Sequence, residues 1–156
     1  MKKIFLIIPV LLFAFCVHAQ ELNYYGLVIP AGYELLGQGI DQWEKVYYHY
    51  DAEKAEANIY LIRFDDEAFT YEGAEVITLP VGKIKPLAPV FSVLKESESS
   101  RIQWSDPKEN DFIKECEKEK DDTDFDCDQS SDFDLIIKSH EKAEWLKNEL
   151  NLKFKK

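Results

Sequence analysis

The hydrophobic pattern divides the chain into three stretches. The first is a continuous apolar run over residues 4–17, broken only by Pro9 and preceded by Lys2 and Lys3. The second runs to about residue 105 and alternates. Val46, Tyr48 and Tyr50 interleave with Lys45, Tyr47 and His49, the period of two expected of a half-buried strand. Residues 58–64 are apolar on both faces and predict a central strand. Further strands are expected over 24–29, 33–36, 76–79, 90–94 and 101–104, with 51–57 as a long hairpin loop. Pro80, Pro86 and Pro89 argue against uninterrupted helix in this part.

The third stretch changes period. Asp106-Pro107-Lys108-Glu109 supplies a capping side chain, a proline at the first helical position and an acid at the third. Phe112, Ile113 and Cys116 then share one narrow face, so a helix is predicted over about 107–119. Residues 133–138 predict a strand. Ser139 caps a second helix that carries Ala143, Leu146 and Leu150 on one face, with Trp145 beside them. Lys147, Lys153, Lys155 and Lys156 suit that helix's negative end. The expected fold is α+β: a mainly antiparallel β-sheet with one or two helices of the C-terminal third packed on it, in one globular domain over 20–156.

The opening run has a basic start, a greasy centre and small Ala19 at its boundary, the plan of a secretory signal with cleavage after Ala19. It is shorter than the ~20 apolar residues that span a bilayer, and no later stretch approaches that length. It resembles the leaders of exported bacterial proteins in general, and that resemblance carries no function. The expected destination is the periplasm or the medium. Cleavage removes Cys16 and leaves Cys116 and Cys127, an even pair that an oxidising compartment would join. Their bridge would close a loop worth ~2.8 kcal/mol in the chain-entropy model.

The whole chain carries a formal charge of −11, and loss of the two leader lysines makes it −13. That acidity argues against nucleic acid as a partner. Its distribution is uneven: residues 20–105 sum to −7, 106–134 to −9 and 135–156 to +3. Asp121, Asp122, Asp124, Asp126, Asp128, Asp132 and Asp134 fall in one stretch with no basic residue among them. A calcium loop would need such oxygens, which makes Asp122, Asp124, Asp126 and Asp128 candidate ligands. The EF-hand template fails, however, with Cys127 at the glycine place and Phe133 at that of the bidentate glutamate. In an extended segment those four aspartates share one face, with Phe125 and Cys127 on the other. The favoured expectation is a solvated acidic flap, a docking surface for a basic protein.

Catalytic motifs are missing from the sequence. There is no G-x-S-x-G elbow, no phosphate-binding glycine loop and no H-E-x-x-H. His49 and His140 have no neighbouring ligand at zinc spacing. Tyrosines crowd the β part, with Trp43 and Trp104 nearby, and Tyr47 with His49 forms a candidate aromatic binding face for sugar rings or a protein. The expected function is therefore non-enzymatic. It is that of a small exported acidic protein, inhibitor- or immunity-like by analogy of size and charge alone, which binds a basic partner. A carbohydrate- or ligand-binding module and a divalent-cation-dependent protein are the alternatives.

Overall fold

Residues apolar on both faces belong in the middle of a sheet, and that is where the chain puts them. The computed structural model describes residues 20–40, 44–65, 67, 70–85, 90–105 and 108–155. Residues 1–19, where the leader is expected, lie outside the described residues, as do Trp43, Pro86, Pro89, Asp106 and Pro107. Eleven strands and two helices follow in chain order among the described residues. They are β1 (Leu22–Tyr24), β2 (Leu27–Ile29), β3 (Glu34–Gln38), β4 (Glu44–Asp51), β5 (Glu56–Phe64), β6 (Tyr71–Pro80), α1 (Val81–Ile84), β7 (Ser92–Lys95), β8 (Ser100–Ser105), β9 (Ile113–Glu119), β10 (Asp126–Ser130), β11 (Asp132–Ile137) and α2 (His140–Phe154).

A six-stranded antiparallel sheet in the order β10-β9-β6-β5-β4-β3 is the central layer. Its first face carries Val46, Tyr48, Ile59, Leu61, Ile77 and Leu79. These pack against α2 and against the three-stranded antiparallel sheet β11-β8-β7. In that core Phe91 meets the rings of Phe133, Phe154 and Trp104. The Asn151 side chain bonds both the N–H and the carbonyl of Phe91, at 3.0 and 3.1 Å, and so ties α2 to the segment entering β7. The second face carries Tyr47, Tyr60, Ile62, Tyr71 and Ala74, covered by the β1–β2 hairpin through Leu27 and Ile29. The architecture is α+β and sheet-dominated, with the C-terminal helix on one side.

The expected strands over 46–50, 58–64, 76–79 and 101–104 fall within β4, β5, β6 and β8. Ser139 caps α2, its side chain accepting the Lys142 N–H, and Ala143, Leu146 and Leu150 are buried. Three expectations are corrected. The 24–29 strand is a hairpin: Tyr25 and Gly26 turn with φ of 49° and 93°, the two positive values of a tight two-residue turn. The loop over 51–57 is shorter than expected, since pairing already resumes at Glu56. The helix over 107–119 is strand β9. Glu109 takes a left-handed φ of 53°, which stops a helix there, and β9 pairs along the open edge of β6. Alternation of Glu115, Glu117 and Glu119 with Lys114, Cys116 and Lys118 is the period that prevailed.

Candidate functional site

Register stacks acidic side chains from three strands into rows on the first face of the large sheet, beside the small sheet. Glu75 of β6 stands opposite Glu117 of β9, which stands opposite Asp126 of β10. In the next row Ile77 stands opposite Glu115, and Glu115 opposite Asp128. Glu75, Glu115, Glu117, Asp126 and Asp128 together line a hollow of about 200 Å3. On its other side Glu75 also borders a cleft of about 390 Å3. That cleft holds Glu44, Arg63, Arg101 and Asp134 over a floor of Leu61, Ile77 and Leu135.

Arg63 bounds the carboxylate cluster. Its guanidinium donates to Glu117 at 2.8 Å and to Glu119 at 2.6 Å, reaching across Gly73. A Cβ on Gly73 would lie 3.0 Å from the Arg63 Nη2 and 2.9 Å from the Glu119 Oε2, so glycine leaves the passage that this ion pair occupies. Partial burial pulls the Arg63 pKa down, but the Glu117 hydrogen bond and the charges of Glu119, Glu117 and Glu75 outweigh it, and the net direction is up. Glu75, Glu115, Asp126 and Asp128 make no ion pair among the described residues. Burial first, and then the charges of Glu115, Glu117 and Glu44, push the Glu75 carboxyl above the usual glutamate range despite Arg63. Burial, followed by Asp128 and Asp132, does the same to Glu115. The cluster thus retains excess negative charge that it neutralises only at one margin.

The four candidate aspartates divide by role. Asp122 shapes the β9–β10 turn, accepting the Glu119 N–H at 3.0 Å, and Asp124 accepts the Thr123 hydroxyl at 3.1 Å. Asp126 and Asp128 belong to the hollow, while Cys127 points to the opposite face of β10, where it is bonded to Cys116. Phe125 is partly buried against the second core, with the Lys118 ammonium 5.7 Å from its ring centre. Among the described residues no three His, Cys, Asp or Glu side chains form a group that could hold a metal ion.

Tyr47 does not present an aromatic binding face. Its ring is only 4% exposed. It sits between the large sheet and the hairpin against Tyr33 and Tyr24, its hydroxyl 3.0 Å from that of Tyr24. Burial and the Tyr24 hydrogen bond raise its pKa. The position is corrected because the hairpin turns back over the strand that was expected to be open. His49 is half-buried on the same face, its Nδ1 buried and without a partner. Trp104 is 8% exposed and packs in the first core against Phe91, with one edge on a hollow it shares with Ser92, Gln103 and Asp134. His140 places Nδ1 2.9 Å from the Ser100 hydroxyl, but Ser100 is fully buried, so the pair links α2 to β8 and offers no accessible nucleophile. No helix among the described residues is long and apolar enough to cross a membrane.

Sequence reasoning missed Glu75, Glu115, Glu117 and Arg63. The alternation of glutamates in 115–119 was the available signal, and it was hidden by the helix reading of that stretch. Compared with protein-family models, with curated proteins and with solved structures, the chain matches none of them.

Proposed function

We propose that this chain is a small exported, non-enzymatic binding protein whose carboxylate face docks on a basic protein. The observation that carries the reading is the pair of like-charged rows, Glu75–Glu117–Asp126 and Glu115–Asp128, gathered around one hollow. Like charges at opposed strand positions oppose pairing, so the fold is better served by neutralising them than by leaving them alone. A lysine or arginine side chain entering the hollow would supply the missing cation, and the charge of the whole chain would steer a basic partner toward it. Size and charge match those of inhibitor- or immunity-like proteins by analogy.

The test is a calorimetric titration against individually purified basic envelope proteins, at low and high salt. A Glu115→Gln/Asp128→Asn variant should bind at least tenfold more weakly, and wild-type binding should fall steeply with salt. Asp122→Asn/Asp124→Asn, which alters only the turn, should change little. Equal binding by the wild type and the Glu115→Gln/Asp128→Asn variant would remove the hollow from the interface.

A further inference from the structure

Cys116 and Cys127 stand directly opposite one another in the β9–β10 pair and are joined by a disulfide. The pairs on either side are Glu117 opposite Asp126 and Glu115 opposite Asp128. Both are like-charged, and directly opposed like charges push an antiparallel pair apart. β10 is the outermost strand of its sheet, and its side chains from Asp126 to Gln129 are exposed. It therefore has ladder hydrogen bonds to β9 and almost no burial of its own with which to resist. Its chain neighbours are better held: Phe125 on one side packs on the second core, and Phe133, Leu135 and Ile137 of β11 on the other lie in the first.

From this geometry we infer that the disulfide is a latch on the carboxylate face. When it is oxidised, β10 is held in register and Asp126 and Asp128 complete the hollow. When it is reduced, β10 leaves β9 while β3 to β6 stay folded. The inference deepens the reading of that face as a binding surface by giving its regulation. The chemistry is thiol–disulfide exchange with a dithiol reductant. Its thiolate attacks one cysteine sulfur, the Sγ–Sγ bond breaks, and two electrons and two protons end on Cys116 and Cys127 as the dithiol closes to its own disulfide. Cys127 is exposed, so the bond is open to attack. A reducing compartment therefore keeps the face apart and an oxidising one assembles it. A chain passing from the first to the second acquires its acidic surface on arrival.

Hydrogen exchange, resolved by residue, tests the latch without any partner, so its outcome is separate from that of the binding titration. After treatment with a dithiol, amides of 126–130 should exchange at least tenfold faster, with those of β5 and β6 unchanged. Cys116→Ser/Cys127→Ser should reproduce this. Adding Asp126→Asn and Asp128→Asn to that variant should return most of the lost protection, since the repulsion is then gone. Unchanged exchange at 126–130 on reduction, or equal loss across β5 and β6, overturns the latch. Failure of the asparagines to restore protection overturns the part played by the opposed charges.

Discussion

Glu75 shows how one position can be in conflict with the strand that carries it. It is half-buried, has Glu117 directly opposite, and holds its proton above the ordinary glutamate value of 4.5. A raised folded-state pKa means that protonation favours the fold. The benefit is fully present below the unfolded-state value and disappears as the pH climbs through the folded-state one. Glu75→Gln should accordingly stabilise the protein at pH 7 by roughly 0.2–1 kcal/mol and leave it unchanged near pH 4. Urea melts at the two pH values would show it, and a variant weaker than its parent at pH 7 would contradict the account.

At the scale of elements, the β1–β2 hairpin depends on two residues with left-handed backbone. Gly26 tolerates its φ of 93° because it has no Cβ, and its N–H bonds the Asn23 side chain at 3.1 Å. Gly26→Ala should cost ~1 kcal/mol in a thermal or chemical melt. It should also loosen the near-ultraviolet dichroism of the Tyr24–Tyr47 contact under the hairpin; no change in either signal would show that the hairpin is not held by its turn. Elements with a clean local period were legible in the sequence. β4 and β5 alternate or are apolar throughout, and α2 has both its cap and its stripe. β9 was misread because Asp-Pro-x-Glu imitates a helix start, and because Phe112, Ile113 and Cys116 fall on one helix face, whereas in the strand Ile113 and Cys116 point to opposite faces. The first hairpin was misread because Tyr25-Gly26 lacks the asparagine or aspartate that commonly marks such a turn.

At the scale of the molecule, the chain shuttles between layers. It builds β3 to β6 of the large sheet, leaves for β7 and β8 of the small one, returns for β9 and β10, and departs again for β11. That path explains why the candidate site was only half legible. The aspartates and the cysteine pair are local and visible in the chain, whereas Glu75 and Arg63 join them only through the pairing of β6 with β9, a long-range contact that no local pattern announces. The disulfide partners were legible because the expected loss of residues 1–19 leaves two cysteines, but their place across a strand pair was not.

A single residue, Ser131, separates β10 from β11, and in β11 Phe133 stands opposite Trp104 of β8. Any pull on the acidic edge is thus passed along β11 to the indole paired with Phe133 in the other sheet. The protein carries its own optical gauge. Occupation of the hollow should shift or quench Trp104 emission although nothing touches the ring, and Trp104→Phe should abolish that change while leaving the affinity nearly intact.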